Sequence, residues 1–500
     1  MHQIFAIQMK VAATSREDVV RAKDESAKSR QKAAGGLATA LSTDKRGRSY
    51  WSSIFQSNEV YHHLAMFKGE KESTQQGREL PLDRYKESRD LVNRVPKLNV
   101  PPATLQIEVR PNMNYSDLPK IAGFKSTMTI ANGLSAPKVI TAKGTDGKPY
   151  KQLFKSGNDD LRQDAIMEQV FDQVSRLLKN HTATRIRNLG IRTYKVLPLS
   201  TRSGLMEFVQ NTIPLHLWVM PAHEKYYPGD YKPEKCRKEI GACQQDSLTT
   251  RVKVWQKIAD NFHPVMRYFL LERFEDPDEW FERRLAYTRS TAAISILGHV
   301  LGLGDRHCHN ILLDEKSGEV VHIDLGVSFE AGRVLPVPEV VPFRLTRDLV
   351  DGMGYTKTEG VFRRCCEFTM DTLREERESI MTLLNVLRYD PLVNWSVTPT
   401  KAKRMQEANQ ETARSTTVAP GGTPAPSGQS AAEEAAAVAQ EDNKKREKEE
   451  QAGEAGRALS VVEKKLSKTL STKATVNELI QQATDERNLA VLYMGWASYA

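Results

Sequence analysis

Residues 302–346 read GLGDRHCHNILLDEKSGEVVHIDLGVSFEAGRVLPVPEVVPFRLT, and the first half of this stretch gathers Asp305, His307, Asn310 and Asp324. Asn310–Asp314 and Glu319–Asp324 are short apolar runs separated by a Glu-Lys-Ser-Gly turn, the pattern of a hairpin. Pairing across Glu315–Gly318 sets Asn310 opposite Ile323 and so within a residue of Asp324, with facing residues about 5 Å apart. One amide oxygen and one carboxylate at that spacing suit Mg²⁺, which takes oxygen ligands and keeps part of its shell for substrate phosphates. Asp305 lies five residues before Asn310, on the turn that follows a helix, where it can accept a proton from an incoming hydroxyl. Together these residues read as a phosphoryl-transfer site. A surface hairpin with incidental acids would need all four polar residues at these intervals by coincidence.

The chain has 500 residues, which suggests roughly three domain-sized units. A hydrophobic fraction of 39% fits a soluble globular protein with polar segments. No uninterrupted apolar run reaches the roughly 18 residues of a membrane span, and Met1–Ala12 lacks the basic start and long apolar stretch of a secretory signal. The chain therefore reads as intracellular. A net charge of +9 is mild and spread out, whereas a nucleic-acid reader concentrates its charge on one face. The five cysteines, Cys236, Cys243, Cys308, Cys365 and Cys366, form no CxxC pair and are odd in number, so reduced thiols are expected. For Cys308 a packing role is expected.

Met1–Asp90 is charged and helical in tendency, with Val60, His63, Leu64 and Phe67 forming an amphipathic stripe over Glu59–Lys68. Val95-Pro96 and Pro101-Pro102 mark a boundary. Short strands follow at Leu105–Val109, Phe124–Ile130 and Lys138–Thr141, and Gly144–Gly147 turns the chain into Tyr150–Phe154. The turn at Ile130–Ala136 holds Asn132-Gly133 but is not G-x-G-x-x-G, and no Walker sequence occurs. Asn158 or Asp159 can cap a helix with Ile166, Val170, Val174, Leu177 and Leu178 on its apolar face. Tyr194–Leu199 and Gly204–Val209 read as two further strands.

In the second half, Val252–Phe269 carries a helical pattern broken at Pro264. Trp280–Val300 reads as a buried helix through Phe281, Leu285, Ile294, Leu297 and Val300, ended by Gly302 and Gly304. It delivers Asp305 on a rigid support; His299 reads as a core histidine. Thr346–Asp351 and Gly360–Leu387 are helical, with Phe362, Cys366, Thr369 and Leu373 on one side and Arg363-Arg364 either solvated or turned toward the loop before them. Residues 413–457 are low in complexity and expected to be disordered, because few apolar side chains are present to offset ordering entropy. The basic cluster at Lys444–Lys448 is interspersed with acids and reads as a solvated helix face rather than a targeting signal. A pattern returns over Thr475–Ala500, with Leu492, Tyr493 and Trp496 around Gly495 expected to pack.

The spacing can be set beside a family. Protein kinases carry H-R-D-x-x-x-x-N followed by D-F-G. Here the base-to-Asn interval is the same, but the order is Asp305-Arg306-His307 and the later triplet is Asp324-Leu-Gly. This inverted arrangement resembles the phosphatidylinositol 3-kinase-related protein kinases, most of all the ATM checkpoint kinase branch with its fungal telomere-maintenance orthologues. KxxxDDLRQD, from Lys155 to Asp164, carries the resemblance into the first half, and the ending resembles a FATC domain.

The resemblance implies an α+β, two-lobed protein-kinase-like fold, with a β-rich N-lobe and a helical C-lobe. It places the end of a helical FAT region at residues 1–98, the N-lobe with hinge at 99–215, the C-lobe at 216–397, a regulatory low-complexity insert at 398–467 and FATC at 468–500. It implies that Lys155 holds the ATP α- and β-phosphates while facing Asp164, which stands in the ATP site where other kinases use Glu, and that the Ile130–Ala136 turn covers the phosphates. Adenine would meet the main chain of Glu207 and Val209 with Phe208 near the base, although core packing competes for Phe208. Asn310 and Asp324 would hold Mg²⁺, with Mn²⁺ as a substitute. Asp305 would be the base, and His307 would stabilise charge on the transferring phosphate.

Residues 325–341 would form the activation loop, with Arg333 as the single basic residue against Glu330 and Glu339. A lipid kinase needs several basic residues there for anionic head groups, so a protein hydroxyl is the expected acceptor. The family implies a serine/threonine protein kinase preferring Ser/Thr-Gln sites and acting in the nucleus in double-strand-break checkpoint signalling and telomere maintenance. It also implies a homodimer through the FAT/kinase region, indirect contact with a break-sensor complex and DNA ends, and no membrane. A phosphoinositide kinase and a catalytically inactive scaffold are the alternatives.

Overall fold

The computed structural model describes residues 48–67, 77–131 except 109 and 113, 136–156, 161–200, 202–388 and 455–496, together with 36, 39 and 453. Several sequence readings lie outside the described residues: the start at Met1–Ala12, the Asn132-Gly133 turn, the caps Asn158 and Asp159, most of the low-complexity insert with Lys444–Lys448, and the last four positions. The chain divides into two units, residues 1–168 with 194–210 and residues 169–193 with 211–500.

In the first unit, β1 (Glu79–Pro81), β2 (Ile121–Ile130), β3 (Lys138–Gly144), β4 (Pro149–Ser156), β5 (Val196–Ser200) and β6 (Ser203–Glu207) form a sheet in the order β1-β2-β3-β4-β6-β5. Every pair in it is antiparallel. The β3–β4 turn closes as expected, with Gly147 at φ +76° donating to Gly144 O at 3.0 Å. Residues 105–108 form no strand, contrary to the alternation there, because Glu79–Pro81 takes the edge beside β2, with Glu79 opposite Thr129.

Helix α1 (Arg48–Met66) covers the sheet with Val60, Tyr61 and Leu64, and the Tyr61 ring lies 5.7 Å from that of Phe154. His63, expected on this stripe, is exposed; Tyr61 and Ala65 fill the face instead. Helix α2 (Lys86–Arg94) ends in a 3-10 turn at Val95–Leu98, with Asn99 at φ +54°. Helix α3 (Leu161–Asn180) gives its residues up to Glu168 to this unit.

The second unit is mainly helical. Its sheet joins β7 (Thr212–Pro214), β8 (Ile311–Asp314) and β9 (Val320–His322). Helix α4 (Leu215–Tyr226) and α5 (Pro233–Ala242) precede α6 (Leu248–Asp260) and α7 (Met266–Arg273), which are separated around Pro264 as the sequence suggested. Helix α8 (Pro277–Leu301) is the axis of the unit. Asp276 caps it by accepting Glu279 N at 2.9 Å, Pro277 opens it, and Asp278 and Glu279 complement the positive end of its dipole.

From Tyr287 onward every residue of α8 except Arg289 and His299 is buried. Phe281 lies before that point and is 47% exposed, contrary to expectation, with the Arg284 guanidinium over its ring at 5.5 Å. The hydroxyls of Thr288, Ser290 and Thr291 return to carbonyls one turn back, so polar side chains enter the core satisfied. Ser290 Oγ also accepts from Val320 N at 2.9 Å, pinning β9 to the helix.

Helices α9 (Arg347–Gly352), α10 (Val361–Glu375) and α11 (Arg377–Arg388) follow. The stripe Phe362, Cys366, Thr369 and Leu373 is buried, and α10 packs on α8. Arg363 pairs with Glu359 and donates to Asn477 Oδ1, and Arg364 pairs with Glu367, so both are engaged by side chains around them. Residues 455–466 form α12, followed by α13 (Thr472–Thr484), which Arg374 ties to α10 through Leu470 O, Thr472 Oγ1 and Thr475 Oγ1. Among the described residues no helix is long and apolar enough to cross a membrane.

Candidate active site

The site in the second unit begins where α8 stops. Gly302 sits at φ +61° and donates its N–H to His299 O at 3.1 Å, while Leu303 N donates back to Gly298 O at 2.8 Å, the paired hydrogen bonds of a Schellman terminus. A Cβ on Gly302 would also fall 2.4 Å from Glu330 N, so glycine is required by conformation and by space. The chain then enters Asp305, which is itself left-handed at φ +55°. Such a conformation is costly for a residue with a Cβ, and Asp and Asn tolerate it best.

Surrounding groups hold this backbone. The Asp305 N–H donates to Glu339 Oε1 at 2.7 Å, and its carbonyl accepts from Asn310 Nδ2 at 3.2 Å. Arg306 turns inward and is 3% exposed. Its guanidinium donates to Gly304 O at 2.8 Å, to Ile323 O at 2.7 Å and to Asp324 O, tying the Asp305 turn to the end of the hairpin. Ile311 faces His322 and Ile323 N donates to Asn310 O at 3.0 Å, so the hairpin register is the one read from the sequence. Asp324 follows β9 at φ +58°, a second left-handed aspartate in the same site.

Asn310 and Asp324 fit a hard cation. With Asn310 Nδ2 on the Asp305 carbonyl, the amide is oriented by its own hydrogen bond and offers Oδ1 as donor. The pair supplies one neutral and one anionic oxygen. Among the described residues no group of three or more His, Cys, Asp or Glu side chains is set to hold a metal. A cation here would draw the rest of its shell from water and phosphate, as Mg²⁺ does.

His307 Nδ1 accepts the N–H of His309 at 3.2 Å, which selects the tautomer protonated at Nε2. Burial, with the Arg306 charge adding to it and Asp324 opposing, brings its pKa down to about 4. Near neutral pH it is therefore an uncharged N–H donor, able to hydrogen-bond a phosphoryl oxygen. The His309 ring stacks on that of His216 at 4.2 Å. Cys308 is buried, with its carbonyl taken by His216 N and its N–H by Trp496 O at 3.2 Å, in keeping with a packing role.

The first unit holds the residues expected to bind ATP. Lys155 lies on β4 opposite Gly204. A Cβ on Gly204 would come within 2.5 Å of Leu161 Cδ1, so this glycine lets α3 start against the sheet beside the lysine strand. Asp164 is buried in the first turn of α3. One turn on, Glu168 is also buried and accepts Tyr194 N at 3.1 Å; burial holds its carboxyl well above the usual range, and the Asp164 charge adds to the effect.

The N–H of Glu207 is taken by Lys195 O at 2.7 Å, so any main-chain contact it makes to a purine uses its carbonyl. Phe208 N donates to Lys151 O at 3.1 Å, and Lys151 Nζ sits 3.8 Å from the centre of the half-buried Phe208 ring. Phe208 is therefore not in the core. Val209 lies just past the end of β6.

Sequence reasoning missed Arg306, Glu168 and Glu339 as members of these clusters. The signal for Glu339 was an acid isolated among apolar residues and prolines; for Glu168 it was a carboxylate one turn after Asp164. Glu330, at φ +63°, forms ion pairs with Arg333 and with Lys465, which also donates to His299 O at 2.6 Å.

Residues 149–397 match the family model described as phosphatidylinositol 3- and 4-kinase, and residues 469–500 match the FATC domain. The whole chain is 56% identical to serine/threonine-protein kinase tel1 of Aspergillus oryzae and covers 16% of that protein. Over 79% of the chain it is 44% identical to the serine-protein kinase ATM of Sus scrofa, covering 13% of it. Among solved structures, the FAT and kinase domain of CtTel1 superposes with a TM-score of 0.82 at 55% identity, over 95% of this chain and 30% of that one. The complete CtTel1 dimer with C2 symmetry superposes with a TM-score of 0.84 at 53% identity, over 99% and 17%. The chain thus spans about a sixth of the curated relatives' length.

Proposed function

The chain belongs to the Tel1/ATM branch of the phosphatidylinositol 3- and 4-kinase family, and from that premise we propose that it is the catalytic portion of an ATP- and Mg²⁺-dependent serine/threonine protein kinase. The carrying observation is the bracing of Asp305 by Asn310 within one hairpin register of Asp324. Asp305 accepts the proton of the substrate hydroxyl, and His307 donates from Nε2 to the transferring phosphoryl group. Lys155 orients the α- and β-phosphates. Asn310 and Asp324 would hold Mg²⁺, which neutralises phosphate charge when bound.

The preferred acceptor is Ser or Thr followed by Gln, and the setting is the nucleus, in double-strand-break checkpoint signalling and telomere maintenance. The names of the relatives, serine/threonine-protein kinase tel1 and serine-protein kinase ATM, support the serine/threonine acceptor in this reading. A homodimer is supported by the symmetric dimer of CtTel1. A double-strand-break sensor complex with DNA ends is the upstream partner in this proposal.

A phosphoinositide kinase is the second reading, favoured by the description of the family model. Against it, Arg333 in the activation loop is ion-paired with Glu330. The test is Mg²⁺-dependent transfer of labelled γ-phosphate to two peptides differing only in Ser-Gln against Ser-Ala and to phosphoinositide vesicles, with Asp324→Ala as control. Transfer to the Gln peptide alone, lost in the variant, is the expected result. Transfer to vesicles instead supports the lipid reading, and ATP binding without transfer to any acceptor supports a scaffold.

A further inference from the structure

The base is gripped from both sides of its own backbone: Asn310 takes the Asp305 carbonyl at 3.2 Å, and Glu339 takes the Asp305 N–H at 2.7 Å. The two grips differ in origin. Asn310 is on the hairpin, whereas Glu339 lies 34 residues after Asp305, in the activation loop beyond Asp324. A left-handed aspartate is not held by its own preference, so its conformation depends on what bonds its peptide groups. We propose that Glu339 is a positioning residue for phosphoryl transfer, its carboxyl group fixing the left-handed Asp305 backbone so that the base is aimed only when the activation loop is folded back against the end of α8.

The loop is built to deliver that carboxyl group. Glu339 N donates to Gly332 O at 3.1 Å, folding 332–339 on itself. Its second oxygen then occupies space that two glycines leave open, since a Cβ on Gly332 would fall 2.2 Å from Oε2 and one on Gly304 2.5 Å from it. Asp305, Arg306 and Arg344 are the charged groups facing it. Burial pushes the Glu339 carboxyl up to about 8, so near neutral pH a glutamine resembles it in charge as well as in shape. Because carboxyl and carboxamide oxygens both accept an N–H, the proposal separates acceptor from charge.

The inference rests on the kinase reading, and the experiment separates the two. In the full-length chain, Glu339→Ala, Glu339→Gln, Gly332→Ala and the Glu339→Ala/Gly332→Ala double variant are compared for kcat and KM with a Ser-Gln peptide and ATP, and for amide hydrogen exchange over residues 302–309. Expected are a kcat fall of about 100-fold in Glu339→Ala with ATP KM unchanged, retention within about threefold in Glu339→Gln, faster exchange over 302–309 in the alanine variant, and no added loss from Gly332→Ala in the Glu339→Ala background. Unchanged exchange, or glutamine as impaired as alanine, would overturn the proposal. Faster exchange in Glu339→Ala, in a protein whose parent phosphorylates nothing, would keep the tether and remove the kinase reading.

Discussion

The side-chain amide of Asn310 donates from Nδ2 to the main-chain carbonyl of Asp305 at 3.2 Å, so one residue braces the proposed base and leaves its own oxygen for the proposed Mg²⁺. The two duties can be separated. Asn310→Asp keeps an oxygen ligand and adds charge for the metal, but it loses the donor and leaves the Asp305 carbonyl unmet, a cost of roughly 1–3 kcal/mol. Turnover should fall by about 10- to 100-fold while half-saturating Mg²⁺ does not rise. A Mg²⁺ titration of turnover reads both, and full activity in the variant would show that the brace is dispensable.

Asp305 and Asp324 both sit in the left-handed region, at φ +55° and +58°. Replacing Asp305 should therefore have a backbone effect beside the chemical one. Asn tolerates this conformation and Ala does not, a difference of about 1 kcal/mol. Both Asp305→Asn and Asp305→Ala should lose most turnover with ATP affinity nearly intact, but only the alanine variant should lose thermal stability. Equal Tm values for the two variants would mean that the loop relaxes without penalty.

Reading the hairpin from sequence succeeded because its information is local: two apolar runs and a four-residue turn fix a register, and the register fixes Asn310 against Ile323. The α8 terminus was legible for the same reason, with Gly302 and Gly304 closing an apolar run. What escaped depends on distant partners. Glu339 reaches Asp305 across 34 positions, and β1 enters the sheet beside β2, where Leu105–Val109 alternates better than Glu79–Pro81 does. Phe281 fits the helical stripe but lies before the point at which α8 enters the core, a boundary set by neighbouring elements rather than by periodicity.

The burial of His216 predicts an acid-sensitive second unit. His216 is 9% exposed, its Nδ1 has no hydrogen-bond partner among the described residues, and burial, with His309 adding to it, lowers its pKa from 6.5 to about 4. Between those values the unfolded chain binds a proton that the folded chain refuses. The stabilising contribution is complete above pH 6.5 and is lost as pH falls through about 4, and it amounts to at most about 3 kcal/mol. His216→Phe keeps a ring against His309 and removes the titrating group. Its Tm should fall less than that of the parent between pH 7 and pH 5, and parallel falls would exclude His216 as a source of the acid sensitivity.

Trp496 links the FATC end to the catalytic loop. It is 4% exposed, its carbonyl accepts Cys308 N at 3.2 Å, and the Arg344 guanidinium lies 5.2 Å from its ring centre. Cys308 is three residues from Asp305 and two from Asn310, so displacement of Trp496 reaches both through the main chain. Trp496→Ala should cost about 3–5 kcal/mol by cavity formation and also lower turnover. Trp496→Phe keeps an aromatic face for Arg344 and should recover most of both. The decisive comparison is turnover at a temperature well below both variants' Tm, because a purely global destabilisation would leave kcat intact there, whereas a loop held through Cys308 predicts that Trp496→Ala stays slow.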